Sequence, residues 1–366
     1  MAEANYDGSK MEQSAAADQE AELMAGHDVL CSLLFGFVGS FLLRTAVVLG
    51  LPDIIARAAG PDGTLTVKQI AAQMIQKSGV ETVNEFELQR VLTALANYKI
   101  FRSCTQDVGS DQETQYGLTP ASKLLVTENN PHNQAPGVLF QTDPVAQAPY
   151  GQLHRCVLYG EQAFQSAHGK DVWKYVNDNP EYSKCFNAAM ASTTTIDLIA
   201  VRKYQGFKDI KTLVDVGGGV GKALETIIST YPHIHGINYD LPHVVADAPT
   251  MPGIEHVAGS MFESVPSGDA IFMKHIMHDW NDNKCIKILN NCQRALPEKG
   301  KVLIYDFVVQ PSGGLPQIFD VVMMAHTNGG MERTEDQWRK LLTTAGFSAI
   351  NFIQLLPQQW LIEAVK

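Results

Sequence analysis

Residues 272–282 read FMKHIMHDWND, which places His275 and His278 three positions apart with Asp279 directly after the second histidine. Three interpretations suit this pattern. The residues could bind a metal ion, His278 could act as a general base, or His278 could be a buried histidine while Asp279 caps the next helix. The apolar run DAIFMKHIM predicts a strand that ends near residue 276, which separates the histidines and disfavours a metal site with three ligands. The base interpretation is therefore favoured, and no metal is predicted.

A second motif, LVDVGGGVGKAL (residues 213–224), runs from a predicted strand through a glycine-rich turn into a predicted helix. The dinucleotide pattern G-x-G-x-x-G counted from Gly217 requires glycine at the position of Lys222, so it fails by one residue. A P-loop ending at Lys222 fails as well, because Val216 stands at its first glycine and Ala223 at its Ser or Thr. The motif predicts a tight turn whose backbone approaches a ligand closely, formed by Gly217, Gly219 and Gly221.

Asp240 lies at the carboxyl end of the predicted strand HGINYD, where a carboxylate can accept hydrogen bonds from both ribose hydroxyls of a nucleoside ligand. As an alternative, Asp240 could cap the helix that begins in LPHVV. Combined with the glycine turn, the ribose interpretation favours a nucleoside cofactor without a pyrophosphate. S-Adenosylmethionine (SAM) is such a cofactor, and we expect the chain to bind it.

The elements that position these residues follow two patterns. From residue 212 onward, short β-rich runs alternate with helical runs, which predicts a Rossmann-like, doubly wound α/β sheet. The first half reads as short helices with a two-stranded wing, which predicts an N-terminal all-helical, winged-helix-like domain used for dimerisation. The predicted divisions are a disordered leader (1–20), the dimerisation domain (21–130), a helical linker and substrate-pocket segment (131–205) and a SAM-binding catalytic domain (206–366).

Charge and composition exclude several classes of function. The chain has 366 residues and a formal net charge of -11, which would repel a nucleic-acid backbone. Its six cysteines show neither C-x-x-C pairs nor zinc spacing and are expected to be reduced thiols in a cytoplasmic protein. The polar N-terminal residues lack the apolar core of a signal peptide. The apolar segment 29–43 is shorter than the ~20 residues that a membrane span needs, so we expect a buried or interface helix and no membrane partner.

Five motifs in order, VDVGGGVG, INYDLPHVV, KHIMHDWND, GKVLIYDFVV and GGMERT, resemble those of the plant-type small-molecule O-methyltransferases, the caffeate, flavonoid and alkaloid methyltransferase family. The resemblance covers the chain from about residue 25 onward. It implies an enzyme that moves the methyl group of SAM to a phenolic hydroxyl of a phenylpropanoid, a flavonoid or a phenolic alkaloid. It also implies a homodimer formed through the N-terminal domain.

The resemblance further assigns roles to individual residues of this sequence. His278 is implied to be the general base, with Asp306 and Glu332 as the acidic residues beside it. The residues implied to bind SAM are Gly217, Gly219, Asp240, Ser260, Met261 and Lys274, and those implied to contact the acceptor are Phe140, Phe186, Met190 and His275.

Three of these positions depart from the family's pattern. Ser260 stands where many members have an aspartate near the adenine, so the expected carboxylate contact is missing. His275 occupies a position that faces the acceptor and is often aromatic in lignin-type members, which argues against a strictly caffeate-like substrate. Asp306 stands where glutamate is common.

The general-base interpretation must account for a difference in pKa. A phenol with a pKa near ~10 transfers its proton uphill to a histidine with a pKa near ~6.5, a gap of ~3.5 units or roughly 5 kcal/mol. A carboxylate beside the second imidazole nitrogen, supplied by Glu332 or Asp306, raises the basicity of His278 and fixes its tautomer. The positive sulfonium of SAM also favours the phenolate, so no metal is required.

Two other functions fit parts of the sequence. A winged-helix regulator could keep a ligand-binding domain without catalysis, but it has no reason to keep His278, Asp306 and Glu332 together. Its wing should also be basic, whereas SCTQDVGSDQETQ is acidic. A nicotinamide oxidoreductase requires the glycine that Lys222 replaces. Methyl transfer is therefore the leading interpretation.

Overall fold

The computed structural model describes residues 8–108 and 111–366, and the chain divides into two compact units, Met1–Glu128 and Asn129–Lys366. The predicted boundary after residue 130 lies close to this division. The predicted segment 131–205 and the predicted catalytic domain 206–366 form one unit, so their separation is not supported. The predicted disordered leader is helical from Gly8 onward, while residues 1–7 lie outside the described part of the chain.

The first unit combines helices with a small sheet, and the prediction that it is all-helical is wrong. Three strands pair antiparallel in the order first, third, second, and the last two form the predicted two-stranded wing. The additional strand is short and pairs with residues far away in the sequence. The elements are α1 (Gly8–Leu34), α2 (Gly36–Val48), α3 (Leu51–Ala59), β1 (Thr64–Thr66), α4 (Val67–Ser78), α5 (Glu85–Asn97), β2 (Phe101–Val108), β3 (Asp111–Leu118) and α6 (Pro120–Lys123).

From residue 18 onward, helices α1 and α2 expose most of their apolar side chains in the single chain. Leu33 is 74% exposed and Phe37 is 60% exposed. The residues Asp18–Val48 are long and apolar enough to cross a membrane by length and composition, and 6% of their apolar window is buried. The expectation that segment 29–43 is too short for a span is therefore wrong, because helical residues extend it on both sides. The expected burial does not occur within one chain, and an interface role stays a prediction.

The second unit is built on an eight-stranded sheet covered by helices. Its elements are α7 (Ala135–Gln141), α8 (Pro144–Gln147), the 3₁₀ helix η1 (Ala148–Gln152), α9 (Leu153–Tyr159), α10 (Ala163–His168), α11 (Val172–Asp178), α12 (Pro180–Val201), η2 (Gln205–Phe207), β4 (Thr212–Val216), α13 (Lys222–Thr230), β5 (His235–Asp240), α14 (Pro242–Ala246), β6 (Ile254–Ala258), β7 (Ala270–Lys274), η3 (Met277–Asp279), α15 (Asp282–Ala295), β8 (Lys301–Val309), α16 (Leu315–His326), β9 (Arg333–Thr334), α17 (Glu335–Thr344), β10 (Ser348–Leu356) and β11 (Gln359–Val365).

The strand order β10–β11–β8–β7–β4–β5–β6 confirms the predicted doubly wound sheet. Strands β4 to β8 run parallel to one another. Strand β11 pairs antiparallel with both of its neighbours, β8 and β10, and β9 pairs parallel with the end of β8. The central strands are continuous apolar runs because helices bury both of their faces. The chain continues from β4 to β5 on one side, whereas β7 lies on the other. The carboxyl ends of β4 and β7 therefore form the crevice in which such sheets bind ligands.

Candidate active site

The segment with the two histidines lies at the carboxyl end of β7. The strand ends at Lys274, and His275 follows with a left-handed backbone, φ 52°, before the chain forms the 3₁₀ helix η3. The imidazole rings of His275 and His278 stack with their centroids 5.2 Å apart. The strand ends close to the predicted residue 276, but the expected separation of the two histidines is wrong, because the turn after the strand brings both rings together.

His278 is buried and bonded to a carboxylate through one ring nitrogen. Its Nδ1 lies 2.8 Å from Oε1 of Glu332 and 3.3 Å from Oδ1 of Asp306. A carboxylate at Nδ1 holds a proton on that nitrogen, which leaves Nε2 as the atom that can accept another proton. The structure therefore brings together the three residues that the sequence predicted, one each from η3, β8 and the segment before β9.

The charges around His278 change its pKa. Burial alone would lower the pKa of His278, but Asp306, Glu332 and Asp279 outweigh that effect and raise it to about 10. Asp306 is also fully buried, yet the two neighbouring histidines hold its pKa below the ordinary value. Burial raises the pKa of Glu332. The basicity of His278 thus approaches that of a phenol, which is the match that the base chemistry requires.

Asp279 does not cap the following helix, which corrects one interpretation of the motif. The side chain of Asn281 caps α15 by accepting from the backbone N of Lys284. Asp279 instead lies with Oδ1 3.8 Å from Nε2 of His278. Burial raises the pKa of Asp279 to about 7. A carboxyl group therefore borders the nitrogen of His278 that is open for proton transfer.

Arg333 holds the pieces of this site together, and the sequence analysis did not single it out. Its buried guanidinium donates to the backbone carbonyl of Met277 at 3.1 Å and to that of Trp280 at 2.8 Å. It also pairs with Asp282 at 2.9 Å. Arg333 directly follows Glu332, so these bonds fix the carboxylate relative to the turn that carries His278. The only sequence signal was its place in the GGMERT motif.

The metal interpretation named His275, His278 and Asp279, but the structure brings together a different set. Within residues 8–108 and 111–366, the group with metal-ligating geometry is His275, His278 and Asp306, whose ligand atoms lie within 4.8 Å of one another. The same atoms also form the contacts between imidazole and carboxylate described above. The expectation that no metal takes part stays a prediction.

The glycine turn after β4 packs closely against the chain at one glycine and leaves space at another, while its predicted approach to a ligand stays a prediction. Gly217 has φ 73°, and a Cβ there would stand 2.4 Å from Cδ1 of Ile276. A Cβ at Gly219, by contrast, would meet no described atom within 4 Å, so the space at that position is open to a ligand. Such a cradle fits the bound SAM that the motif implies.

Asp240, at the end of β5, faces this turn. Its Oδ2 accepts from the backbone N of Gly219 at 2.8 Å, and its Oδ1 accepts from that of Leu241 at 2.7 Å. Asp240 does not cap α14, since Leu241 occupies the N-cap position. Burial raises the pKa of Asp240, and the two backbone bonds oppose that effect. Each carboxylate oxygen keeps a second lone pair for a ribose hydroxyl.

The remaining residues implied to bind SAM have structural contacts of their own. Ser260 accepts from the backbone N of Phe262 at 3.3 Å, and Met261 packs against the core beside the sheet. Lys274 pairs with Asp197 of α12, with Nζ 3.1 Å from Oδ2. Asp215 in β4 was missed by the sequence analysis; burial raises its pKa to about 7. It lies directly below the glycine turn, beside the Cα of Gly218.

Three of the four residues implied to contact the acceptor lie in one aromatic cluster. Phe140 packs on Phe186 with centroids 5.6 Å apart, and Met190 lies against the same cluster. The fourth, His275, is not part of it. Its Nδ1 lies 3.3 Å from Asp306 and its Nε2 lies 3.7 Å from Asp197. Both nitrogens of His275 therefore face carboxylates.

Two tryptophans connect the aromatic cluster to the turn that carries His278. Trp173 contacts Phe186 at 6.2 Å and stacks on Trp280 at 5.6 Å, with the rings inclined by 22°. The ammonium of Lys284 lies 4.6 Å from the Trp280 ring centroid. A cavity of about 180 Å³ is lined by both indoles together with Gln162, Gln165, Asp171, Lys284 and Asn328. The aromatic surface therefore ends at Trp280, which follows the base His278 by two residues in the chain.

Comparison with known proteins decides the family. Residues 150–348 match the model of the O-methyltransferase domain, and residues 31–128 match that of the O-methyltransferase dimerisation domain. The chain belongs to the O-methyltransferase family. The recognition made from the five motifs is thus confirmed, as is SAM as the methyl donor. The dimerisation domain of this O-methyltransferase supports a homodimer. The silent regulator and the nicotinamide oxidoreductase are set aside.

Similar proteins cover nearly the whole of this O-methyltransferase. It is 39% identical to (R,S)-reticuline 7-O-methyltransferase of Papaver somniferum, over 95% of this chain and 99% of the relative. It is also 39% identical to caffeic acid 3-O-methyltransferase 1 of Populus kitakamiensis, over 92% of each chain. A crystal structure of CalO1, a methyltransferase in calicheamicin biosynthesis in its SAH-bound form, matches with a TM-score of 0.79 at 25% identity, over 93% of this chain and 98% of that one.

Proposed function

We propose that this O-methyltransferase transfers the methyl group of SAM to a phenolic hydroxyl of a small aromatic natural product, with His278 as the general base. The acceptor class is a phenylpropanoid, a flavonoid or a phenolic alkaloid. The observation that carries the proposal is the buried contact of 2.8 Å between Nδ1 of His278 and Glu332, which leaves Nε2 for the phenolic proton. The names of the similar proteins, which include reticuline, caffeic acid, esculetin and bergaptol, support a phenolic acceptor.

The proton of the phenol moves to Nε2 of His278. Asp306 and Glu332 stabilise the imidazolium that results, because both carboxylates lie on the Nδ1 side of the ring. When it is bound, SAM supplies an electrophilic methyl group, and transfer of that group to the phenolate oxygen releases S-adenosylhomocysteine. No metal ion takes part in this scheme. After transfer, the proton on Nε2 passes to solvent, which regenerates the base.

The residues implied to hold SAM and the acceptor supply orientation. In the proposal, Asp240 accepts from the ribose hydroxyls, and the glycine turn with Ser260, Met261 and Lys274 lies along the cofactor. Phe140, Phe186 and Met190 pack on the acceptor ring and exclude water around the reacting oxygen. Holding oxygen, methyl and sulfur in line contributes proximity to the rate. We further propose that the enzyme works in the cytoplasm without a nucleic-acid or membrane partner.

The test is a methyl-transfer assay with labelled SAM against a panel of catechols, flavonoids and phenolic alkaloids, with His278→Ala beside the wild type. General base catalysis contributes roughly 10²–10⁴-fold, so transfer to the best acceptor should fall by that factor. The affinity for SAM, measured by calorimetry, should remain unchanged. Transfer at the wild-type rate in His278→Ala would overturn the base assignment, and transfer to no phenol would overturn the acceptor class.

A matched control is available in His326, a second buried histidine in the same unit. Both of its ring nitrogens lie 3.0 Å from backbone carbonyls, those of Val322 and Ala146, so it has no nitrogen for proton transfer. His326→Ala should lower stability while the transfer rate per folded enzyme stays within a few-fold of wild type. A loss as large as that in His278→Ala would mean that the assay reports packing of buried histidines.

A further inference from the structure

Asp197 on α12 is a buried carboxylate to which the proposed reaction gives no role. Its side chain is 8% exposed, and its Oδ2 lies 3.1 Å from Nζ of Lys274 and 3.7 Å from Nε2 of His275. Burial would raise the pKa of Asp197, but His275 and Lys274 hold it below the ordinary value. The Asp197 carboxyl group is therefore an anion at neutral pH. It contacts Lys274 and His275, the two residues that precede the turn with His278.

His275 continues the contacts toward the base. Its Nδ1 lies 3.3 Å from Oδ1 of Asp306, and the same oxygen lies 3.3 Å from Nδ1 of His278. Carboxylates and imidazoles thus alternate from Asp197 through His275 and Asp306 to His278. Each contact joins a different structural element, since α12, the end of β7, β8 and η3 contribute one group each.

We propose that Asp197 is a positioning residue for the general base, and that it acts through His275, which it holds against Asp306. This inference rests on the proposed role of His278. His275 has a left-handed backbone, φ 52°, which is uncommon for residues other than glycine, although histidine adopts it more often than most, and partners on the ring help to hold it. Asp197 and Asp306 supply those partners from opposite sides of the ring. His275 is then part of the machinery beside the base and does not contact the acceptor.

The balance of charge explains why a fourth carboxylate is useful here. The groups that face this network are Lys274 and His275 after β7, His278 and Asp279 in η3, Asp306 and the Tyr305 hydroxyl in β8, Glu332 before β9, and Asp197 from α12. Asp197 is the anion that lies next to both Lys274 and His275. Neutralising it would leave Lys274 and His275 without this anion and reduce the negative potential at His278. The basicity of His278 would fall as a result.

The first test is the pH dependence of methyl transfer in Asp197→Asn, which keeps the shape of the side chain and removes its charge. We expect kcat to fall about tenfold and the acid limb of its pH profile to move to lower pH. The KM for the acceptor should stay unchanged, because Asp197 does not line the aromatic cluster. Asp197→Glu should restore part of kcat, since the charge returns. Wild-type kcat with an unmoved limb in Asp197→Asn would overturn the inference.

A double-mutant cycle separates the two neighbours through which Asp197 could act. His275→Asn removes the ring, and asparagine tolerates the left-handed backbone at that position. If Asp197 acts through His275, then Asp197→Asn should have no further effect on kcat in the His275→Asn background. If it acts only through Lys274, the effects on kcat should add and the KM for SAM should rise. That second result would overturn the role proposed for His275.

Two controls protect the interpretation. Leu198→Ala removes a buried apolar neighbour on the same helix and should destabilise the fold without moving the pH limb. His278→Ala distinguishes failure of this inference from failure of the proposed function, because an active His278→Ala enzyme would mean that there is no base to position. If Asp197→Asn does not fold, His275→Asn decides alone, and a wild-type rate and pH limb in that variant would overturn the inference.

Discussion

His278 lies among three carboxyl groups, and the direction of its pKa shift determines how the enzyme responds to pH. The folded-state value of about 10 is above the ordinary 6.5 because Asp306, Glu332 and Asp279 outweigh the effect of burial. These interactions therefore stabilise the fold below about pH 6.5, and their contribution is lost as pH rises through about 10. Catalysis has the opposite requirement, since the base must first lose its proton.

We predict that kcat/KM for the acceptor rises with pH above neutrality and levels off near pH 10, where His278 becomes deprotonated. The measurement is a pH–rate profile with labelled SAM. The phenol ionises in the same range, so a second profile with a nitro-substituted phenol of lower pKa is needed. A limb that moves with the pKa of the acceptor would show that the profile does not report His278.

Glu332→Gln removes one of the charges that raise the pKa of His278. The acid limb should then move to lower pH, because a neutral amide no longer stabilises the imidazolium. The plateau should fall by about 10–100-fold, the loss seen when the carboxylate partner of a metal-bound histidine is removed, because Glu332 likewise fixes the orientation of the His278 ring. Glu335→Gln, on the surface of α17 three residues later, is the control and should leave the profile unchanged. An unmoved limb in Glu332→Gln would contradict the proposed coupling.

Sequence reasoning at the residue scale found the groups that belong to motifs and missed those that do not. His278, Asp306 and Glu332 were predicted, and the structure brings them within hydrogen-bond or ion-pair distance. Asp197 could not be predicted, because it lies near the carboxyl end of the long helix α12 and acquires its partners only when α12 packs beside the end of β7. Trp173 likewise meets Trp280 only in the fold.

Between elements, the attachment of η3 to β9 depends on Arg333. Its guanidinium bonds to two carbonyls in or next to η3 and to Asp282 at the start of α15. Arg333→Met would remove a charged donor from both carbonyls, at a cost of about 1.5–3 kcal/mol for each bond. The carbonyls would keep weaker partners, the Cys285 thiol and, at Met277, the backbone N of Trp280. We predict that the free energy of unfolding falls by about 3 kcal/mol or more, measured by urea titration, and that kcat falls as Glu332 loses its position.

The control for this prediction is Arg339 on α17, which pairs with Glu335 on the protein surface at 2.6 Å. Exposed pairs of this kind contribute roughly 0.2–1 kcal/mol. Arg339→Met should therefore cost much less stability than Arg333→Met and leave kcat unchanged. Equal losses in the two variants would show that Arg333 has no special role in joining the elements.

Periodicity predicted most elements, and the exceptions have physical causes. Helix α4 begins after Thr66, whose side chain forms a capping box with Gln69. Thr64, two residues earlier, begins β1, which pairs Thr64 with Gly117. A strand of three residues carries no periodic signal of its own and depends on a partner far along the chain.

For the whole molecule, the exposed apolar surface of α1 and α2 matters most. Stable interfaces bury about 1,200–2,000 Å² and require a contiguous apolar core. We predict that Phe37→Asp, which places a charge in this surface, converts a homodimer into monomers as measured by light scattering. Phe86→Asp is the control, because Phe86 on α5 is 69% exposed but lies outside α1 and α2. A dimer that survives Phe37→Asp would contradict this assignment of the interface.

The use of the N-terminal surface could not be predicted from the sequence. The same apolar helices satisfy the length and composition of a membrane span. Flotation of the protein with lipid vesicles would distinguish a dimer interface from a membrane span. A homodimer that covers this surface should stay with the soluble fraction. Whether this surface forms a dimer interface depends on contacts with a second chain, and these contacts cannot be read from the sequence of one chain.

The stack of Trp173 on Trp280 has a practical consequence for work on this enzyme. The chain contains four tryptophans, and two of them line the cavity beside the turn that carries His278. Indole emission is sensitive to polarity and to stacking, so an aromatic ligand that displaces water from this cavity should alter intrinsic fluorescence. The enzyme thus contains its own optical probe. Candidate acceptors could be ranked by titration in a cuvette before any product is detected.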